Sequence, residues 1–425
     1  KIADNAEEAG LTPQEYVDEM VQVFYDATKV FDISYNNFIR TTDDYHIKAA
    51  QKFWKIVDKN GYIEKRKYKT KYCVGCEMEK TDSELVGGVC PDHPNKEIQL
   101  VDEENYFFKA SAFSDDLLKY YKTNPVVPDF RLNEIRSLIE REGMKDFSIS
   151  RLKEKMSWGV SVPGDDEHVM YVWFDALVDY ISTLGWGGDD ESNFEKFWGT
   201  KDNPADSTVF QICGKDNIRP QSAMWQSMLM AAGIKNSDVV YVNGFILSDG
   251  QKMSTTVGNV VDPFDVAKKY GAEAVRFFVI KHLHNYEDAD WTQERFHEAY
   301  TADLVNGIGN LTSRILAMSS KAGISLKEDL KFDRANSLLE KYDFNGEMNA
   351  IWMSIADLDD LISDKKPFKL IDEKPDEAKM ILLSLLKSLY AIADWLKPIM
   401  PQTSEKIFKA IKENKKPEES LFPRI

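Results

Sequence analysis

Polar and apolar positions fall into three successive patterns along the chain. Thr12-Pro13-Gln14-Glu15 supplies an N-cap, a proline at the first helical position and a glutamate at the third, and apolar residues then recur at helical spacing toward Phe31. A second helix is predicted over residues 44–60, with Gly61 suited to its C-terminal cap. Residues 62–108 break into short β-prone pieces separated by turns, as in a compact inserted module, and residues 128–142 return to helical spacing. Between residues 146 and 259, buried strands alternate with helices: 169–174 leads into a helix through Tyr180, 208–213 into a helix over 219–232, and 239–246 forms a third strand. Such alternation predicts a parallel, doubly wound sheet. Ligands of such sheets bind at the carboxyl ends of strands, where Trp173 and Gly214-Lys215-Asp216-Asn217 fall. Beyond Asp262-Pro263 strand signals fade, and helices over 301–322, 344–364, 376–396 and 403–411 predict a helical bundle.

Length and charge narrow the function classes. A chain of 425 residues exceeds what one core usually organises and implies two to four domains. Apolar residues at 43% and charged residues at 29% describe an ordinary soluble globular protein. The most apolar stretch, 380–396, is interrupted by Lys387 and Asp394 and reads as a buried helix rather than a membrane span. No leader peptide precedes the first helix, and the start at Lys1 reads as a truncation. A net charge of −17 argues against general polyanion binding, which depends on lysine and arginine neutralising phosphates. The basic run Lys65-Arg66-Lys67-Tyr68-Lys69-Thr70-Lys71 fits either a local phosphate contact or a solvated hairpin face.

Two segments carry explicit chemistry. Cys73-x-x-Cys76, thirteen further residues and Cys90-x-x-His93 can set three thiolates and one imidazole around Zn²⁺. Four protein ligands leave no position for water, so the ion is expected to be structural. Cys213 stands apart, and four cysteines in so long a chain imply a reducing, cytoplasmic setting rather than a disulfide framework. The second segment, Asp249-Gly250-Gln251-Lys252-Met253-Ser254-Thr255-Thr256, follows a buried strand. A mobile loop with a lysine and several hydroxyls suits closure over a triphosphate.

Taken with Gly258-Asn259-Val260-Val261-Asp262-Pro263, the Lys-Met-Ser segment resembles the Lys-Met-Ser-Lys-Ser loop of class I aminoacyl-tRNA synthetases. Ile33-Ser34-Tyr35, Phe38-Ile39-Arg40-Thr41-Thr42, Ser148-Ile149-Ser150-Arg151, Tyr171-Val172-Trp173-Phe174-Asp175-Ala176, Gly214-Lys215-Asp216 and Leu396-Lys397-Pro398 are similar to the methionyl-tRNA synthetase family within that class. The resemblance covers essentially the whole chain. It implies an α/β fold with a doubly wound Rossmann-type parallel sheet, incomplete at its N-terminus, an inserted zinc-knuckle domain and a C-terminal α-helical bundle. The implied divisions are 1–61, a remnant of the first half of the catalytic domain; 62–145, the inserted connective domain; 146–262, the second catalytic half; 263–300, a stem-contact linker; and 301–425, an anticodon-binding bundle.

The resemblance also implies roles. Trp173, Ala176, Tyr180 and Gln221 would line the methionine pocket; Gly214, Asp216, Asn217, Lys252, Met253, Ser254 and Thr255 would bind ATP, with Lys252 and Ser254 catalytic. Cys73, Cys76, Cys90 and His93 would hold the zinc, and Asn310, Arg314 and Phe368 would read the tRNA anticodon. Methionine, ATP with Mg²⁺, and tRNA(Met) are the implied substrates and partners. Three departures stand out. Pro220-Gln221 replaces the family's Phe-His, removing an ionising group; Thr255 replaces the second lysine of the phosphate loop; Phe368 stands where tryptophan is common. The family's His-x-Gly-His motif has no equivalent in the chain, so the 425 residues alone are expected to be inactive. With no further domain following Ile425, a monomer is expected. The competing readings are a non-catalytic tRNA-binding fragment and another class I synthetase; Trp173 with Tyr180, and the absence of room for a large editing insertion, favour methionine.

Overall fold

Reciprocal capping starts the helix Pro13–Val30: the Thr12 N–H donates to Glu15 Oε2 at 2.9 Å, and the Glu15 N–H donates to Thr12 Oγ1 at 3.3 Å. The computed structural model describes residues 2–76, 78–80, 82–91, 93–123, 126–253, 258–326, 330–332 and 342–425. A short helix, Ile2–Ala9, precedes the capping box without any capping signal in the sequence. Helix Asp44–Lys59 ends at Asn60, and Gly61 takes the left-handed φ of 84° that the turn needs. The chain divides into two units, Lys1–Phe24 with Tyr35–Val242, and Tyr25–Ser34 with Asn243–Ile425.

In the first unit the strands Val126–Val127, Val239–Asn243 and Phe210–Gly214 form one sheet in that order, with Val240 paired parallel to Val126. Four successive residues of Val239–Asn243 are buried, as expected of a parallel strand covered on both faces. One apolar cluster joins Val126, Val240 and Val242 to Ile135 and Ile139 of helix Asp129–Glu142. A second is built on Phe53, which meets Phe174, Trp186 and Trp225 at ring-centroid distances of 5.7, 5.8 and 5.8 Å.

The sheet differs in membership from the strand pattern: Val126–Val127, which the pattern did not predict, is one of its strands. Residues 169–174 do not form one of its strands: Asp165–Met170 pairs antiparallel with Ser150–Leu152, and Val172–Ala176 is already helical. An apolar run of that length is compatible with either geometry, and packing of Phe174 against Phe53 and Trp54 decides for a helix. The run 239–246 likewise divides, because Ile246–Ser248 belongs to a different sheet. The inserted region is an antiparallel ladder of Ile63–Cys73 with Ile98–Phe108, flanked by Met78–Lys80 and Phe147–Ser148. Its basic run is largely ion-paired: Lys65 with Asp165, Arg66 with Glu64 and Asp146, Lys69 with Asp102, and Lys71 with Asp82. The pairing suits the solvated hairpin face.

In the second unit the strand Ile246–Ser248 pairs antiparallel with Gln251–Lys252 and parallel with Ala289–Trp291. Asp249 and Gly250, with φ of 53° and 73°, form the two-residue turn between the first pair, which suits an Asp-Gly hairpin. The rest is helical, and the long helices Phe344–Lys365 and Pro375–Leu396 enclose a core that includes Ile351, Ile355, Leu382, Leu386 and Leu389. Arg276 pins the ends of two segments by donating to the carbonyls of Phe31, Asp32, Pro398 and Ile399. No helix among the described residues is long and apolar enough to cross a membrane.

Phe53 is fully buried beneath Val172–Ala176. Phe53→Ala is expected to cost about 3–5 kcal/mol, seen as a lower urea midpoint for the first unit, whereas replacing an exposed residue such as Met353 moves it little.

Candidate functional site

The four zinc-type residues converge. Ligand atoms of Cys73, Cys76, Cys90 and His93 all lie within 4.8 Å of one another, with Cys76 Sγ 3.4 Å from Cys90 Sγ and 3.2 Å from His93 Nδ1. Cys73 and Cys90 are completely buried. Gly75 makes the convergence possible, because a Cβ there would lie 2.4 Å from the His93 ring. Burial first, and the adjoining Cys90 and Cys73 second, push the Cys76 thiol up to about 12. Three sulfurs and one imidazole form a soft, closed donor set able to hold a metal ion.

Trp173 and Ala176 lie on the short helix Val172–Ala176, and Tyr180 lies on the next one, Asp179–Ser182. Trp173 lines a cavity of about 300 Å³ with Ser148, Tyr171, Ala223 and Met224. Its indole N–H is buried and has no hydrogen-bond partner among the described residues. Behind Tyr180, the Gln221 Nε2 donates to the phenol oxygen at 2.8 Å, and burial raises the Tyr180 pKa to about 12, so the phenol stays neutral at physiological pH. Gln221 sits on a π-helical turn, Pro220–Met224, and accepts from Gln211 Nε2 at 3.4 Å. The same Gln211 is tied to Gln226 and Ser237, giving a chain of buried neutral amides behind Tyr180. Neither Gln211 nor Gln226 was singled out in the sequence; isolated buried amides carry no motif.

Gly214 closes the strand Phe210–Gly214, and Asp216 and Asn217 follow on a single tight turn, Lys215–Asn217. A Cβ on residue 214 would approach Asp216 Oδ1 to 2.8 Å, so glycine lets that carboxylate fold back over the strand end. Asp216 is exposed. In the second unit, Lys252 is exposed on the hairpin, paired with Leu247, its ammonium 4.6 Å from the Phe245 ring centre. Gly250 N–H donates to Asp290 Oδ1 at 2.8 Å and fixes the turn before it. Met253 packs on the helical core, while Ser254 and Thr255 lie outside the described residues.

Asn310 and Arg314 are one turn apart on Asn310–Lys321. Asn310 is exposed, whereas Arg314 is ion-paired with Asp359 of Phe344–Lys365. Phe368, 46% exposed, lies on Pro367–Glu373, which Asp372 ties to Lys321 at 2.8 Å. These helices are thus neighbours, with an uncovered aromatic ring on one of them.

A cluster that the sequence did not announce lies behind the Trp173 segment. His46, fully buried, places Nε2 2.8 Å from Asp175 Oδ1 and Nδ1 2.9 Å from Ser182 Oγ. Asp179 Oδ1 is also 2.8 Å from Nδ1, close enough for an ion pair, although off the hydrogen-bond direction. A lone His in a helix gives no sequence signal for such a pairing.

Known proteins give this arrangement its class. The family described as tRNA synthetases class I (M) matches residues 1–101 and 93–316, which makes the chain a class I aminoacyl-tRNA synthetase. Methionine–tRNA ligase of Thermotoga maritima is 36% identical over 98% of this chain and 68% of its own length; that of Nostoc sp. is 34% identical over 97% of this chain and 80% of its own. Methionyl-tRNA synthetase of Mycobacterium tuberculosis in complex with methionyl-adenylate superposes with a TM-score of 0.88 at 29% identity, covering 100% of this chain and 89% of that one. The chain belongs to the methionine–tRNA ligases. It spans roughly two thirds of the length of most of these curated relatives, from 64% to 68% in Thermotoga, Clostridium perfringens and Enterococcus faecalis.

Gly75→Ala is expected to weaken metal binding about 10- to 100-fold by displacing His93, and Cys90→Ser to abolish it, measured as bound metal per chain against a chelator series.

Proposed function

We propose that this chain recognises methionine and ATP for the formation of methionyl-adenylate and then serves transfer of the methionyl group to tRNA(Met). The observation that carries the reading is the placement of Trp173, Ala176 and Tyr180 on two consecutive short helices, with Tyr180 held at 2.8 Å by the neutral Gln221; together the three would form an aromatic face toward the ligand. An unbranched thioether fits such a face, since aromatic rings add sulfur contacts to simple burial. Gln221 keeps the hydrogen bond that the family's histidine would offer, without a titrating group.

In the proposed reaction a methionine carboxylate oxygen attacks the α-phosphorus of ATP. The Pα–O bond to the β-phosphate breaks and pyrophosphate leaves. A ribose hydroxyl at the tRNA 3′ end then attacks the acyl carbon, and AMP departs. No enzyme nucleophile is needed, so this chain's residues act by positioning and charge stabilisation. Gly214, Asp216 and Asn217 would anchor the adenosine, and Lys252 would offset charge on the phosphates, with Met253, Ser254 and Thr255 completing the loop. Thr255 leaves one cation fewer there, so Lys252 bears more of the stabilisation. Mg²⁺ would enter with ATP and neutralise phosphate charge.

Zn²⁺ fits the Cys73, Cys76, Cys90 and His93 donors and would act as a structural staple for the inserted region 62–145. The segments 1–61 and 146–262 are read as catalytic, 263–300 as the stem-contact linker, and 301–425 as the anticodon-binding bundle, where exposed Asn310 and Phe368 suit base-edge contact and stacking. Arg314 would join them by exchanging Asp359 for a base. Free thiols at all four cysteines suit a cytoplasmic setting, and a monomer is the simplest assembly.

In the enzyme expressed from its complete reading frame, Lys252→Ala is expected to lower methionine-dependent pyrophosphate exchange about 10²- to 10³-fold while methionine binding by calorimetry persists. An unchanged exchange rate would remove Lys252 from the proposed role.

A further inference from the structure

We propose that His46 is a positioning residue for the methionine pocket: its buried imidazole, set between Asp175 and Asp179, holds segment 172–182 in the geometry that presents Trp173, Ala176 and Tyr180. The inference rests on the assignment of those three residues to methionine.

Segment 172–182 consists of helices of five and four residues, Val172–Ala176 and Asp179–Ser182. Pieces that short do not persist on helical propensity, so their orientation is imposed by what they pack against. Phe53 and Trp54 grip the apolar side through Phe174. The polar side carries Asp175 and Asp179, one turn apart and interleaved with the three pocket residues. Two carboxylates at that spacing repel, and Asp175 is 9% exposed, so water does little to separate their charges.

The imidazole of His46 answers both. It comes from a different element, helix Asp44–Lys59, and reaches Asp175 through Nε2 and Ser182 with Asp179 through Nδ1. The ring therefore touches the segment near its start, middle and end. Burial disfavours the charged ring, but the hydrogen bond to Asp175 and the adjacent Asp179 carboxylate outweigh it and raise the His46 pKa to about 9. At neutral pH the ring is an imidazolium, while burial pushes the Asp175 carboxyl above its usual range against the opposing pull of His46.

On the packed helix Asp179–Ser182, Tyr180 is also ionisable, and burial raises its pKa to about 12. Tyr45, next to His46 in sequence, has its pKa raised by burial and by the charges of Asp43 and Asp179. Helix Trp225–Ala232 and strand Ser161–Val162, both packed on the His46 helix, contribute no titratable side chain. On Ile63–Cys73, Lys65 is paired with Asp165, and Arg66 with Glu64 and Asp146. The sign follows from the raised pKa. The clamp is complete below the ordinary histidine pKa and is lost as pH rises through about 9.

The test is methionine binding by calorimetry to the wild-type chain and to His46→Gln, each at about pH 7.5 and about pH 10, with melting temperatures recorded. Glutamine keeps a donor and much of the volume but carries no charge. The expected result is about tenfold weaker binding by the variant at the lower pH, with ATP binding unchanged, and a gap between the two proteins that narrows at the higher pH. Because both proteins are compared at one pH, ionisation of methionine's own amino group cancels. Binding within twofold of wild type, or a gap that persists at the higher pH, overturns the clamp and leaves His46 a packing residue. Should His46→Gln not fold, Asp179→Asn, whose side chain is 25% exposed, carries the same comparison with the same outcomes. No methionine binding by the wild-type chain would instead remove the pocket assignment, and the clamp with it.

Discussion

Everything at the candidate methionine pocket depends on one constraint: a helical stretch too short to hold itself must be held from behind. Trp173, Ala176 and Tyr180, the residues proposed to meet methionine, lie along that stretch. It is contacted by Phe53 and Trp54 through Phe174, by the Gln221 amide at Tyr180, and by His46 at Asp175 and Asp179. Apolar packing sets the depth of the segment, and the polar contacts set its rotation. Helix Asp44–Lys59 matters because Phe53, Trp54 and His46 all project from it, bringing both kinds of restraint on one rigid element.

The same division of labour appears at the cysteine cluster. Convergence of Cys73, Cys76, Cys90 and His93 requires two tight turns to approach closely, and Gly75 is the position where any side chain would collide with the His93 ring. The antiparallel ladder of Ile63–Cys73 with Ile98–Phe108 delivers Cys73 from its end and leaves its own charged residues matched in pairs. Such a closed set of donors can hold a metal ion.

Much of this was legible in the sequence because the signals were local. The capping box at Thr12 and Glu15, the Asp249-Gly250 turn, the paired cysteines and the long periodic helices each depend on residues a few positions apart. The errors came where distance decides. Residues 169–174 read as one buried strand, since an apolar run has the same pattern in either state; the strand ends at Met170, and Val172–Ala176, with Phe174 packed on Phe53 and Trp54, is helical. The run 239–246 concealed a change of sheet between Asn243 and Ile246. His46 with Asp175, and Gln211 with Gln221, are separated by 129 and 10 residues and carry no spacing that would link them beforehand. The family resemblance supplied roles for Trp173 and Tyr180 that patterning alone would have assigned to the core.

The account's central claim is that the aromatic face selects an unbranched thioether. Its most direct test is calorimetric titration of the chain with methionine, isoleucine, leucine, valine and cysteine under one buffer condition. Methionine is expected to bind, and each of the others to bind about tenfold or more weakly, since a single misplaced methylene or branch in such a pocket costs that much. Equal or tighter binding of isoleucine, leucine or valine would contradict the account.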